Sequence, residues 1–164
     1  MLFRSASVQI IFNMFRQRPA RLFLPEAARR GVAVIARVPL ASGLLSGKIG
    51  PSTVFAADDH RAFNRHGEAF DVGETFAGVP FEVGLEAVER VRALLPVGVP
   101  MAAFALRWIL MEDAVTVVIP GARNPEQARA NAAAADLAPL SPDQMAAVRE
   151  IYDDLVAPHV HHRW

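Results

Sequence analysis

Short apolar runs alternate along the chain with stretches of helical periodicity. Three runs rich in β-branched residues, at residues 7–12, 32–38 and 115–119, are typical of buried β-strands. Residues 22–30 are predicted to form a short helix that stops at Gly31, because glycine commonly follows a helix end. The first two strands are therefore predicted to be joined by a helix.

Two further helices are predicted in the second half of the chain. Residues 81–95 place apolar side chains at helical intervals and so favour a helix with one buried stripe, made of Leu85, Val88, Val91, Leu94 and Leu95. Residues 101–111 (MAAFALRWILM) form a more apolar helical stretch. The segment between them contains Gly98 and Pro100, which separate the two helices.

The clearest helix starts lie near the carboxyl end. Asn124 is predicted as an N-cap, Pro125 as the first helical residue, and Gln127 as the residue that completes a capping box. The same arrangement recurs at Ser141 and Gln144, which open a final helix that runs to about residue 156. The third strand is therefore also followed by a helix.

Residues 50–80 are different, since they mix Gly, Asp, His and Phe without any period. We expect a long irregular excursion here, and long loops inside compact domains are usually functional or mobile. The remaining order of strand and helix predicts an α/β fold in which helices cover a parallel sheet of about three strands. We expect residues 1–164 to form a single domain, since no internal repeat is present.

The composition of the chain excludes several classes of partner but does not identify a reaction. The chain has 17 basic and 17 acidic residues and 52% hydrophobic residues, without clustered runs of Lys or Arg. A chain without net charge lacks the positive electrostatic potential that would attract nucleic acids or anionic membranes, so neither is expected as a partner. The absence of cysteine excludes thiolate chemistry and fits a cytoplasmic location.

Candidate chemistry lies in the loops after the second and third strands. In parallel α/β folds, ligands bind at the carboxyl ends of the strands. The first loop offers Ser42, Gly43 and Lys48, which is the only lysine of the chain, and the second offers Arg123 close to a helix start. Freed backbone amides, a hydroxyl and two cations suit phosphate oxygens. The loops after strands 7 and 8 of a (β/α)8 barrel frequently bind phosphate, so these loops fit the carboxyl end of a barrel.

Four segments in order, VQIIFN (8–13), VIARVPLASGLLSGK (34–48), ALRW (105–108) and IPGARNPEQ (119–127) followed by Asn131, resemble the carboxyl-terminal half of an aldo-keto reductase. The resemblance implies a partial (β/α)8 (TIM) barrel that binds NADPH in an extended pose without a Rossmann motif. It also implies an oxidoreductase that reduces a small carbonyl substrate by hydride transfer. Because the matching segments belong to one half only, the chain is expected to be truncated.

The resemblance also implies cofactor roles for individual residues. Gln9 would hydrogen-bond the nicotinamide carboxamide, Ser42 would line the pyrophosphate, Arg123 would meet the 2′-phosphate or the adenine, and Asn131 would contact the adenine. Arg37 stands where the family commonly has an aromatic residue that stacks on the nicotinamide. The full set of expected cofactor-binding residues is Gln9, Arg37, Leu40, Ser42, Gly43, Leu44, Lys48, Gly121, Ala122, Arg123, Gln127 and Asn131.

The catalytic residues of the family cannot be placed in this sequence. Its proton donor is a tyrosine assisted by a lysine, an aspartate and a histidine, all from the amino-terminal half of the barrel. Tyr152 falls in the last predicted helix and Lys48 in the phosphate loop, so no catalytic residue is expected. Three strands would also leave open edges and an uncovered apolar face. We therefore expect a homo-oligomer, poor solubility or a missing amino-terminal half.

Several alternatives remain open at the level of sequence. Gln9 is equally read as a buried core amide, Gly43 as a turn residue, and Arg123 and Lys48 as solvated charges. The histidines of PHVHHRW (158–164) are not expected to bind a metal, because no carboxylate is suitably spaced. Besides a truncated reductase, the chain is compatible with a catalytically silent NADP(H)-binding or regulatory module, or with a self-assembling structural half-barrel.

Overall fold

A computed structural model describes residues 5–163 of the chain. The three predicted strands are present, and their ends differ from the predicted ones by no more than one residue: β1 Ser7–Ile11, β2 Ala33–Arg37 and β3 Val115–Val118. The helices are α1 Phe23–Arg29, α2 His60–Phe63, α3 Phe81–Arg92, α4 Met101–Ile109, α5 Pro125–Ala133, α6 Pro142–Ile151 and α7 Ala157–Val160. No helix in the described part of the chain is long and apolar enough to cross a bilayer.

The strands form one parallel sheet in the order β1-β2-β3, as the alternation of strand and helix predicts. Gln9 of β1 lies opposite Ile35 of β2, and Ile35 lies opposite Val117 of β3. The register shifts between Val34 and Ile35, where the hydroxyl of Thr116 accepts a hydrogen bond from the Val34 amide at 3.2 Å. A side chain of β3 thus satisfies the Val34 amide where the ladder is irregular.

Helices cover one face of the sheet, and the other face is exposed. Val34 and Ala36 on one face are fully buried, and helices α1 and α4 pack against β2 and β3. The opposite face carries Gln9, which is exposed, and Val117, which is 42% exposed. In a complete (β/α)8 barrel the uncovered face would line the interior. The sheet and its helical layer thus have the architecture of part of such a barrel.

The helical layer packs closely on the loop that follows β2. A Cβ atom added to Gly84 of α3 would lie 2.8 Å from Cδ1 of Leu44. Leu44 is fully buried in the same core as Val88 and Val91 of α3. Helix α3 is thus a support for the loop 38–47. The predicted stripe is only partly correct, since Leu85, Leu94 and Leu95 are half-buried and the last two lie beyond the end of α3.

Residues 50–80 are more ordered than their lack of periodicity predicts. They contain α2 and two 3₁₀ turns, and Thr75 and Phe76 are almost completely buried. Phe76 and Ala77 have φ values of 50° and 59°. Short turns and left-handed residues have no regular repeat, which is why periodicity does not reveal this structure.

The last helix extends beyond its predicted end and contains a π-helical turn at Tyr152–Val156 before α7. Pro158 lies two residues beyond the end of this turn, in α7. Proline has no N–H to continue the α-helical pattern, and the altered turn accommodates that loss.

Replacing Ser141 with alanine is expected to lower the free energy of unfolding by about 1 kcal/mol, the usual contribution of a helix N-cap. The Ser141 hydroxyl accepts a hydrogen bond from the Gln144 amide at 3.1 Å, and Gln144 Oε1 accepts one from the Ser141 amide at 2.9 Å. Urea denaturation of the variant measures the loss. The control is Ser141→Asp, which retains a capping oxygen, and an equal loss in both variants would contradict the prediction.

Candidate functional site

A cleft of about 690 Å³ lies at the carboxyl ends of β2 and β3. Three segments form its walls: the loop after β2, the loop after β3, and the excursion 50–80. The residues that line it are Val38, Pro39, Leu40, Ser42, Gly43, Asp58, Asp59, His60, Arg61, Phe63, Glu74, Gly121 and Arg123. The structure therefore brings together the two loops that the sequence singles out.

The loop after β2 has an unusual backbone. Val38, Ala41 and Ser42 have φ values of 53°, 47° and 54°, in the left-handed region that non-glycine residues rarely adopt. Gly43 follows with φ 98°. Such conformations cost free energy and cluster at ligand-binding sites, where the surrounding structure holds them.

Asn13 holds the start of this loop. It lies just beyond the end of β1 and is 0% exposed. Its Nδ2 donates a hydrogen bond to the Val38 carbonyl at 2.8 Å, and its Oδ1 accepts one from the Phe15 amide, also at 2.8 Å. A buried amide on β1 thus fixes the backbone turn that shapes the cleft on β2.

Ser42 is held from the opposite side by the excursion. Its hydroxyl accepts a hydrogen bond from the Phe76 amide at 3.1 Å and donates one to the Glu74 carbonyl at 3.3 Å. Arg61 Nη1 donates to the Ser42 carbonyl at 3.4 Å. The Ser42 hydroxyl is therefore engaged within the protein, which leaves the backbone of this loop to face the cleft.

Two of the three guanidinium groups near the cleft are paired with carboxylates. Arg37 donates to both oxygens of Glu74, at 3.0 and 2.6 Å. Arg61 forms a forked pair with Asp59, and its guanidinium lies 4.5 Å from the ring centroid of Phe55. The hydrogen bonds from Arg61 hold the pKa of the Asp59 carboxyl well below its ordinary value, and the same bonds raise the pKa of Arg61. The Arg61–Asp59 pair thus stays ionised at neutral pH.

Arg123 differs from these two arginines. Its side chain lines the cleft and forms no hydrogen bond or ion pair with any residue among 5–163. Its backbone amide donates to Gln127 Oε1 at 2.8 Å, while the Asn124 side chain caps α5 by accepting from the Gln127 amide at 2.8 Å. The predicted N-cap is confirmed, although Gln127 bonds the amide of Arg123 instead of that of Asn124. Arg123 thus presents an uncompensated positive charge beside a helix start.

The expected cofactor-binding residues fall into two groups. Leu40, Ser42, Gly43, Gly121 and Arg123 line the cleft. Arg37 joins them indirectly because its partner Glu74 lines the cleft. The others lie outside the cleft lining: Gln9, Leu44, Lys48, Ala122, Gln127 and Asn131.

The expected cofactor-binding residues outside the cleft lining lie on the sheet, in the core, at the surface and on α5. Gln9 lies on the uncovered face of the sheet, Leu44 is buried in the core, and Lys48 is exposed. Asn131 Nδ2 donates to the Gly121 carbonyl at 3.1 Å, and Gln127 supports the neighbouring amide of Arg123. These two amides therefore shape the loop after β3 from helix α5.

Sequence reasoning missed the contribution of the excursion to the cleft, namely Asp59, Arg61, Phe63 and Glu74. One local signal was available, since Asp59 caps α2 by accepting a hydrogen bond from the Arg61 amide at 2.9 Å. The sequence gives no reason to prefer His60 over His66, whereas the structure places His60 in the cleft and His66 in a separate depression.

The single tyrosine and the single lysine of the chain lie away from the cleft lining. The Tyr152 hydroxyl is hydrogen-bonded to His161 Nδ1 at 2.8 Å, and burial raises the pKa of the tyrosine. Lys48 does not line the cleft either. Within residues 5–163, no group of three or more His, Cys, Asp or Glu side chains could hold a metal ion.

The parallel sheet, its single helical layer and the cleft at the carboxyl ends of the strands define a β/α protein with a barrel-type ligand site. The sequence matches the family model of the aldo/keto reductase family over residues 2–153. The chain belongs to the aldo/keto reductase family.

Solved structures of similar fold agree with this assignment. The glycerol dehydrogenase from Gluconobacter oxydans is 29% identical, with a TM-score of 0.72 over 94% of this chain and 43% of that chain. The holo form of an aldo-keto reductase from Bacillus halodurans is 23% identical, with a TM-score of 0.61 over 89% of this chain and 42% of that chain, which supports the fold alone. The shared part confirms a partial barrel.

One curated relative is described as a probable voltage-gated potassium channel subunit beta from Arabidopsis thaliana. It is 28% identical over 139 residues, which cover 79% of this chain and 38% of the relative. The chain therefore spans about two fifths of the length of the relatives and structures that it matches.

Proposed function

We propose that this chain forms the cofactor-binding part of an NADPH-dependent oxidoreductase that reduces a small carbonyl substrate. Family membership supports the oxidoreductase class. The observation that carries the choice of cofactor is Arg123, whose unpaired guanidinium faces the cleft next to the start of α5. The 2′-phosphate that distinguishes NADPH from NADH is the group that such a charge would bind.

Three features of the cleft support a phosphorylated ligand. The positive end of α5 and the guanidinium of Arg123 both favour an anion at the loop after β3. Gly43 and Gly121 expose backbone without a Cβ atom at the cleft wall. The ion pairs of Arg37 and Arg61 neutralise two of the three carboxylates that line the cleft, those of Glu74 and Asp59, whereas Asp58 forms no ion pair among residues 5–163.

In the proposed pose, each part of the cofactor contacts a different segment of the chain. Arg123 would hold the 2′-phosphate, and the backbone around Ser42 and Gly43 would line the pyrophosphate. Gln9, on the uncovered face of the sheet, would bind the nicotinamide carboxamide. When bound, the cofactor would supply the hydride for carbonyl reduction, while these residues would orient it.

Reduction of a carbonyl also needs a proton donor within about 3 Å of the oxygen. Tyr152 is buried and bonded to His161, and Lys48 lies outside the cleft lining. We therefore propose that this chain binds the cofactor but needs additional residues to catalyse. The uncovered face around Gln9 and Val117 would meet those residues, either in further strands or in a second copy of the chain.

A calorimetric titration of the chain with NADPH, and in parallel with NADH, tests the proposal. We expect saturable binding of NADPH and binding of NADH at least tenfold weaker, because the second nucleotide lacks the partner of Arg123. Circular dichroism establishes beforehand that the chain is folded. A folded chain that binds neither nucleotide would overturn the proposal.

The similarity to a channel subunit beta favours a second candidate, a regulatory NADP(H)-binding module without turnover. Both functions require nucleotide binding, so activity distinguishes them. Carbonyl reduction restored by an added amino-terminal half of a barrel would support the reductase. Nucleotide-dependent binding to a partner protein, without turnover, would support the module. A purely structural half-barrel would show neither nucleotide binding nor turnover.

A further inference from the structure

Two phenylalanines of the excursion are exposed next to a polar cleft. Phe63 lines the cleft and is 44% exposed, and Phe70 is 43% exposed. Their rings meet edge to face, with centroids 6.1 Å apart and an interplanar angle of 86°. Edge-to-face contact is a favourable arrangement of aromatic rings, and it leaves almost half of each residue accessible.

A buried polar cluster holds this aromatic pair in place. Asn64 follows Phe63 directly and is fully buried. Its Oδ1 accepts hydrogen bonds from the amides of Ala69 and Phe70, both at 2.8 Å, and its Nδ2 donates to Thr75 Oγ1 at 3.1 Å. The backbone on both sides of the aromatic pair is therefore fixed by one side chain. Because the backbone that carries the ring is already fixed, the protein loses little conformational entropy when the exposed ring contacts a ligand.

The rest of the cleft indicates the kind of ligand. Arg123, which has no partner among residues 5–163, lines the same cleft as Phe63. A phenyl ring recognises a flat aromatic surface, and a guanidinium recognises a phosphate or the face of a ring. A molecule that joins an aromatic base to a phosphate satisfies both groups at once.

We infer that Phe63 is a stacking platform for the adenine ring of the dinucleotide. This inference rests on the proposed function, in which Arg123 binds the 2′-phosphate. That phosphate is attached to the ribose that carries the adenine, so the base lies within a few ångströms of it. The nicotinamide is the less suitable occupant, because Gln9, which would bind it, lies outside the cleft lining.

Equilibrium titration with adenosine 2′,5′-bisphosphate tests the inference, since this probe carries the adenine and the 2′-phosphate but no nicotinamide. We expect Phe63→Leu to weaken its binding about tenfold, within the range that base–aromatic stacking contributes. Phe63→Trp keeps an aromatic face and should bind within about twofold of the unsubstituted chain. The matched control Phe70→Leu removes a ring that does not line the cleft and should cost less than about threefold.

The outcomes separate this inference from the proposed function. If the unsubstituted chain binds the probe and Phe63→Leu binds it equally well, the platform is wrong and the cofactor proposal stands. Equal losses of probe affinity in Phe63→Leu and Phe63→Trp would also contradict the stacking role of Phe63, because only tryptophan can still stack on the base. If the folded chain binds neither the probe nor NADPH, both the inference and the proposed function fail.

Discussion

Replacement of Arg123 by alanine is expected to weaken NADPH binding by about 30-fold, in the range of a lost hydrogen bond between charged groups. The guanidinium faces the cleft without an ion-pair partner among residues 5–163, so its charge is available to a ligand. NADH lacks the 2′-phosphate, and its binding should weaken by less than about threefold. Calorimetric titration with the two nucleotides measures both changes.

Two further variants make this experiment specific. Arg129 is an exposed arginine of α5, the helix that begins just after Arg123, and it does not line the cleft. Arg129→Ala should leave NADPH affinity within about twofold. Arg123→Lys keeps the charge but loses the planar fork, so its affinity should fall between the two. A loss in Arg129→Ala as large as that in Arg123→Ala would show a general charge effect and contradict the assigned role.

Asn13→Ala is expected to be the most destabilising single change at the site, with a loss of about 3 kcal/mol in the free energy of unfolding. The substitution removes the partner of the buried Phe15 amide and one of the two donors to the Val38 carbonyl, which still accepts a hydrogen bond from the Ala41 amide at 3.1 Å. It also releases the residue whose φ of 53° starts the loop after β2. Urea denaturation, monitored by far-UV circular dichroism, gives the change.

Asn131→Ala is the matched control for this prediction. Its amide also donates one hydrogen bond to a backbone carbonyl, that of Gly121, but at an exposed site. Water replaces the lost partner there, so the cost should be below about 1 kcal/mol. Comparable losses in the two variants would show that burial of Asn13 does not carry the effect.

The cleft depends on contacts between segments that are far apart along the chain. Asn13 fixes Val38, and the excursion fixes Ser42 through Glu74 and Phe76. The backbone around Ser42 is thus held from two sides before any ligand arrives. Such preorganisation reduces the entropy that a bound nucleotide would otherwise cost the protein.

Local sequence patterns were enough to predict the three strands, the starts of α5 and α6 and the parallel order of the sheet. These features depend on local causes, such as β-branched apolar runs and the capping side chains of Asn124 and Ser141. The sequence also placed the two loops at one edge of the sheet, because carboxyl ends of parallel strands share an edge. Leu40, Ser42, Gly43, Gly121 and Arg123 were therefore brought to one cleft as expected.

The pairing of charges in the cleft, in contrast, depends on how the chain folds. Arg37 and Arg61 pair with Glu74 and Asp59 of the excursion, whereas Arg123 has no such partner among residues 5–163. The excursion has no period that predicts its path, because it is built from short turns and left-handed residues held by Asn64 and neighbouring side chains. Hydrogen bonds between distant segments leave no repeat in the sequence, so the folded arrangement alone defines the shape and charge of the cleft.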